Sequence, residues 1–346
     1  MESSTNPIAM REEQQHMSTK PVKWGILGCG GISSKFANDL KLAEGAELTA
    51  VAARSLDKAQ AFAEKHGFER AYGSYEEFFN DADVEIVYVG TIHPLHKEQV
   101  LACLEAGKAV LCEKPFTMNA AEAEEIVRAG RDKGLFVMEA MWTRFLPPIV
   151  QVREWLQQGL IGEVQLLKAD FGFDAGWNPG GRLLNKEIGG GALLDAGIYP
   201  VSFASFVFGE QPSAIHSSAV IGETGVDEKF SALFEYEGGR TAVLNGAVRL
   251  QLTNEACLYG TKGYIHIPSF LFGKSASLHV RGEEPVHFQD DRTYNGYKHE
   301  AEAAMEALRS GRTESEVMPL DETISIMGTM DRMRKQWGLT YPADNQ

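Results

Sequence analysis

Lys114, in the run Glu113-Lys114-Pro115, is the first side chain of this 346-residue sequence placed to do chemistry. It follows the apolar run 109–112, which reads as a buried parallel strand. Open parallel sheets bind their ligands beyond the carboxyl ends of the strands, so an acid and a lysine here face a ligand cleft. A second group, Gly28-Cys29-Gly30-Gly31-Ile32, lies between the first strand and the first helix. Gly28 permits a tight turn, and Gly30 lets backbone N–H groups approach a pyrophosphate at the helix N-terminus. The third position of that fingerprint holds Ser33 in place of Gly or Ala, so the motif is incomplete by one site. It does open the first helix of a βαβ unit, which is the context the motif requires. Cys29 reads as a small residue that fits this loop, not as a nucleophile.

Arg54-Ser55 ends the second apolar strand. An NAD site puts Asp or Glu there to accept from the ribose 2′-hydroxyl, whereas a guanidinium pairs with a 2′-phosphate. NADP is therefore the favoured cofactor, and Asp57 keeps NAD open. His93 and His96 resemble a metal pair, but no third ligand of matching spacing accompanies them and zinc needs three or four. No metal is expected.

The elements that must hold these groups follow from hydrophobic spacing. From Pro21 to about Ala140, continuous apolar runs at 22–27, 48–53, 86–89, 109–112 and 135–139 alternate with helical patterns. Glycines at 45, 67, 107 and 134 stop the helices, and Ser74 with Glu77 and Asn119 with Glu122 start two of them. Buried strands separated by helices imply parallel pairing through right-handed crossovers. After Pro147 and Pro148 the pattern changes to one helix, then strands joined by short turns, interrupted by a helical block at 193–208. Two helices close the chain. The expected fold class is α/β: an N-terminal doubly wound Rossmann domain over 21–145, then an α+β domain over 146–346 with a large open, mostly antiparallel sheet. Residues 1–20 read as a disordered leader, with Met17 a possible true start.

Composition narrows the function. The length suits two domains. A formal charge of −15 and no dense Lys/Arg block argue against nucleic acid and anionic lipid as partners. The most apolar stretch, 188–209, carries Asp195 and Pro200 and reads as a poor membrane span. Four cysteines with no CxxC pairing suit a reduced, cytoplasmic setting.

Several further stretches carry a resemblance. They are 71–77, Tyr88-Val89-Gly90-Thr91 with His93-Pro94 and His96, 107–115, and Glu139-Ala140 with Trp142-Thr143-Arg144-Phe145. Gly190-Gly191-Ala192-Leu193-Leu194-Asp195, Gly197-Ile198-Tyr199 and 223–227 extend it into the second domain. Over residues 20–344 the sequence resembles the glucose–fructose oxidoreductase / inositol dehydrogenase / MocA superfamily, and within it the dihydrodiol and D-xylose dehydrogenase branch. That resemblance implies NADP-dependent, reversible hydride transfer to or from a CH–OH carbon of a sugar or cyclic trans-diol. It makes Tyr199 the proton acceptor, with Lys114 and Asp195 assisting. Asp195 and Tyr199 are spaced i,i+4 and share a face on a helix. Free tyrosine titrates near pH ~10, so a neighbouring Lys114 ammonium is expected to favour the phenolate.

The same resemblance places Thr91, His93, His96, Glu113, Lys114, Trp142, Arg144, Arg182 and Tyr297 with the glycine loop, Arg54 and Ser55 around the cofactor. Phe171, Phe173 and Trp177 are an apolar substrate wall or simply core. A homodimer or homotetramer through the open sheet is also implied. The alternatives are an NAD-linked sugar dehydrogenase, an NAD-using glycosidase, or a cofactor-sensing binding protein without catalysis. The last predicts loss of the lysine or tyrosine, and both are present here.

Overall fold

The computed structural model describes residues 20–345, so the expected leader and Met17 lie outside the described residues apart from Lys20. The five apolar runs, joined by one short strand that they did not include, become six parallel strands: β1 (Val22–Leu27), β2 (Ala46–Ala52), β3 (Arg70–Tyr72), β4 (Ile86–Val89), β5 (Ala109–Glu113) and β6 (Val137–Ala140). Their order is β3-β2-β1-β4-β5-β6. Strands β4, β5 and β6 are buried along their whole length, which is why they read as apolar runs, interrupted only by the buried Glu113 and Glu139. Helices α1 (Gly31–Leu40), α2 (Leu56–His66), α3 (Tyr75–Phe79), α4 (His96–Glu105) and α5 (Ala120–Lys133) connect them. The direction of winding reverses between β1 and β4, and a crevice opens there at the carboxyl ends.

The second sheet has eight strands: β7 (Val164–Gly172), β8 (Ala214–Ile221), β9 (Asp227–Glu235), β10 (Thr241–Ala247), β11 (Ala256–Gly260), β12 (Gly263–Ile267), β13 (Ser275–Val280) and β14 (Val286–Gln289). They run β14-β13-β12-β11-β7-β10-β9-β8, and every pair is antiparallel except β7 with β10. Burial alternates along β9, with Phe230, Ala232 and Phe234 inside and Ser231, Leu233 and Glu235 outside. One face therefore rests on helices and the other looks outward.

Helix α6 (Pro147–Gln157) enters this half, and α7 (Ile198–Phe208) lies under the sheet, preceded by a π-helical turn at Leu193–Gly197. Residues 186–208 are long and apolar enough to cross a membrane, but 83% of that stretch's most apolar window is buried inside the molecule. It is the core helix of the second half.

The last two helices, α8 (Tyr297–Arg309) and α9 (Leu320–Trp337), return to the first sheet, α8 packing on α1 and α9 on α5. The buried Asp39 carboxylate of α1 accepts from the backbone N–H groups of Asn295, Gly296 and Tyr297, capping α8. Thr323 of α9 donates to Glu139 of β6 at 3.1 Å.

Candidate active site

A cleft of about 700 Å³ runs from the ends of β1, β2 and β4 to the start of α7. At its floor Gly28 has φ +91°, and a Cβ there would lie 2.8 Å from Thr91 Cγ2, so only glycine turns this corner without strain. Gly30 and Gly31 differ: a Cβ on Gly31 would meet nothing within 4 Å. The N-terminus of α1 is thus an open cradle, and its free N–H groups suit a pyrophosphate. Ser33, the departure from the fingerprint, donates from its buried hydroxyl to Gly90 O at 3.3 Å. A Cβ on Gly90 would lie 2.4 Å from Ser33 Oγ, so a serine opposite a glycine brings helix and strand together here.

Arg54 and Ser55 line the far end of the cleft, joined by Lys35 and Lys58, which sequence reasoning missed. Lys35 lies four residues after Gly31 and Lys58 four after Arg54, a helical spacing that was the available signal. Three cations thus border one end of a cleft in a chain of formal charge −15. Cys29 and Ile32 also line the cleft. Burial pushes the Cys29 thiol up to about 11, so it carries little thiolate at neutral pH.

At the other end, Lys114 Nζ donates to Asp195 O at 2.8 Å and lies 3.7 Å from Asp195 Oδ1 and 4.6 Å from the centroid of the Tyr199 ring. Arg182 forms an ion pair with the same Asp195 carboxylate. Burial alone would raise the Asp195 carboxyl, but Lys114 and Arg182 beside it hold it at about 2. The π-helical turn carries Asp195 and runs into α7, which carries Tyr199, so both project into the cleft.

Tyr199 departs from expectation. Burial is the main influence on its hydroxyl, followed by the Glu113 carboxyl, and together they push its pKa well above 10. A hydrogen bond from Trp142 Nε1 at 3.2 Å opposes them, and the Lys114 ammonium sits over the ring face. Tyr199 therefore rests as a neutral phenol. Glu113 lines the cleft, raised by burial, and accepts from the Tyr88 hydroxyl and from Lys114 N at 3.2 Å.

Three expected cleft residues are displaced. Trp142 is buried behind Tyr199 and packs against Tyr297, with ring centroids 4.7 Å apart. Arg144 faces away, bonded to Ser202 O at 2.8 Å and Glu322 at 2.7 Å. Both lie in a 3₁₀ turn (Trp142–Phe145), where residues two apart point about 240° around the axis. His96 is fully buried, with one ring nitrogen 3.0 Å from Pro115 O and the other 3.3 Å from Thr91 O. It ties the lysine loop to the end of β4 and does not reach the cleft. His93 does line the cleft, 3.3 Å from Gly189 O, and burial with His96 nearby keeps it neutral. Thr91, Arg182 and Tyr297 line the cleft as well.

The apolar wall consists of Phe171 and Phe173 with Leu271 and Phe272, the last two unforeseen. Trp177 is not part of it; it is 51% exposed, with the Arg249 guanidinium 5.2 Å from its ring centroid.

Comparison with known proteins decides the family. Residues 22–141 match the model of an oxidoreductase family with an NAD-binding Rossmann fold, and 149–266 match the GFO/IDH/MocA C-terminal domain. The chain belongs to the Gfo/Idh/MocA oxidoreductase family. Within this family it is 41% identical to the trans-1,2-dihydrobenzene-1,2-diol dehydrogenase of Homo sapiens over 335 residues, covering 94% of this chain and 99% of that one. The enzyme of the same name from Xenopus tropicalis is 41% identical over 333 residues, with 92% and 99% covered. A 3-ketoreductase from Actinomadura kijaniata, solved with NADP and TDP-benzene, superposes with a TM-score of 0.80 at 26% identity, over 91% of this chain and 98% of that one. The aldose-aldose oxidoreductase of Caulobacter crescentus shares the fold at a TM-score of 0.84 and 24% identity, over 92% and 98%.

Proposed function

We propose that this NAD(P)-dependent dehydrogenase prefers NADP and acts reversibly on a CH–OH carbon of a sugar or cyclic trans-diol. The observation that carries the reading is one cleft with two ends: Lys35, Arg54 and Lys58 at one, Lys114, Asp195 and Tyr199 at the other. The glycine cradle at α1 and the Arg54 end fit the pyrophosphate and a 2′-phosphate of the cofactor. Bound there, the cofactor would supply the hydride chemistry.

This chain's own residues handle binding and the proton. The Tyr199 hydroxyl, fixed by Trp142, is the acid when a carbonyl is reduced and the base when an alcohol is oxidised. Asp195 holds Lys114 and Arg182 beside the reacting end, and Lys114 is free to turn a proton toward the substrate oxygen. Phe171, Phe173 and Phe272 offer an apolar face to the carbon side of a ring, Phe171 edge-on to the Tyr199 ring with centroids 5.6 Å apart. This supports a cyclic substrate with hydroxyls on one edge.

Tryptophan fluorescence titration with NADPH and NADH tests the cofactor assignment. Tight NADPH with weak NADH binding is expected, and a preference for NADH defeats it. The outward face of the second sheet carries exposed Val220, Leu233, Val243 and Tyr264, which supports self-association there. Light scattering on eluting protein should give the mass of a dimer or tetramer. Four free cysteines support residence in the reducing cytoplasm.

A further inference from the structure

Asp227, the first residue of β9, is fully buried and does not line the cleft. Its Oδ2 accepts from the backbone N–H of Leu193 at 2.6 Å, at the start of the π-helical turn that carries Asp195. That turn has no cap of its own, because Ala192 stands before it and its side chain can accept nothing. Asp227 therefore caps the turn from a neighbouring strand, where a carboxyl meets free N–H groups at a helix start. Burial raises this carboxyl to about 7, against the N–H groups of Leu193 and Ala192 and the Arg334 charge. Its other oxygen, Oδ1, has no hydrogen-bond partner among the described residues.

That second oxygen closes on Gly191, which has φ +130°. A Cβ there would lie 2.7 Å from the Tyr341 hydroxyl and closer still to Oδ1, so a glycine lets the chain pass between the two side chains. Tyr341 donates to Gly190 O at 2.6 Å. Arg334 of α9 lies over the Tyr341 ring, 5.3 Å from its centroid, and is itself paired with Asp331 and Asp344. The clamped glycines lead into the active cleft on both sides. Gly191 N donates to Leu183 O at 2.9 Å, next to Arg182, and Gly191 O accepts from Asp195 N at 3.3 Å. One buried carboxyl thus stands behind the two segments whose side chains, Arg182 and Asp195, pair beside Lys114.

We propose that Asp227 is a positioning residue for the reaction, fixing from β9 the glycine run and the turn that place Asp195 against Lys114 and Arg182. The proposal rests on the reading of Lys114, Asp195 and Tyr199 as the reacting end of the cleft. Asp227 touches neither substrate nor cofactor in this role and acts through Asp195.

The test uses the full chain, with kcat for D-xylose and NADP+ and with hydrogen–deuterium exchange over residues 190–197 read by mass spectrometry. Asp227→Ala should lower kcat about 10–100-fold, the scale for misplacing a reacting group by about 1 Å, with KM for NADP+ nearly unchanged. Exchange over 190–197 should rise in the same variant. Asp227→Asn, whose amide oxygen can still accept from Leu193 N, should keep most of kcat and the wild-type exchange. In an Asp195→Ala background, Asp227→Ala should cost less than about twofold more, because its effect runs through the residue already removed. Phe234→Leu, further along β9, should lower Tm and leave kcat unchanged, which separates loss of position from loss of stability. Wild-type kcat in folded Asp227→Ala, an equal loss in Asp227→Asn, or a full further loss in the Asp195→Ala background overturns the proposal and leaves the site reading standing. Unchanged exchange over 190–197 in Asp227→Ala overturns it without any substrate. Wild-type kcat in Asp195→Ala itself refutes the site reading, and the proposal with it.

Discussion

Replacing Tyr199 with phenylalanine removes one oxygen, and the structure gives that oxygen two separable roles. As the proton-transfer group it should contribute about 10²–10⁴-fold in rate. As the acceptor of the Trp142 Nε1 hydrogen bond at 3.2 Å it also satisfies a buried donor. Trp142 is 2% exposed, so in Tyr199→Phe the indole N–H is left without water or acceptor. That costs about 1–3 kcal/mol, which in a domain of this size lowers Tm by roughly 2–10 °C. The variant should therefore turn over at least about a hundredfold more slowly and melt a few degrees early. Its NADPH affinity should stay within a factor of a few, since the cations and the glycine cradle are untouched. Steady-state kinetics, differential scanning calorimetry and NADPH titration read the three quantities separately. A kcat within severalfold of wild type would remove Tyr199 from the chemistry. An unchanged Tm would show that Trp142 does not depend on it.

The pH dependence has a defined sign. Because burial holds the Tyr199 proton well above pH 10, oxidation should accelerate as pH rises through the alkaline range, while reduction, which needs the phenol, proceeds at neutral pH. A pH–rate profile of the oxidation that falls above pH ~8 would contradict this assignment. Arg54→Ala should weaken NADPH about 10–100-fold, the range for a charge-assisted contact to phosphate, and leave NADH nearly unchanged. Equal losses for both in the fluorescence titration would defeat the 2′-phosphate role. Gly28→Ala should lower both Tm and NADPH affinity, because the new methyl meets Thr91 at a left-handed corner. Gly31→Ala, facing open space, should leave Tm within a degree or so. If the two variants behave alike in thermal melts, the distinction between corner and cradle fails.

The parallel half was legible because burial on both faces makes β4 and β5 apolar runs, and because Gly45, Gly67, Gly107 and Gly134 mark the turns with positive φ. Strand β3 escaped notice for the opposite reason. It has three residues, none of them fully buried. At the site, Lys114 and the glycine loop could be placed because each abuts a recognisable strand end. Trp142 and Arg144 misled because two side chains of one short 3₁₀ turn were given one direction. Phe272 was invisible, since its part in the cleft depends on a turn between β12 and β13 that no local pattern marks. The Tyr199 proton was misjudged because spacing shows a cation nearby but not how deeply the phenol is buried.

The return of the final helices to the first sheet has a consequence for how this molecule can be cut and recombined. A fragment ending at 145 would hold every strand of the nucleotide half yet strip α8 from α1 and α9 from α5. It would leave the Asp39 carboxylate without the three N–H groups that occupy it. The nucleotide half is therefore not a portable module. A chimera that exchanges cofactor preference between relatives must carry the last fifty or so residues with the first part, because the surfaces that match were shaped together.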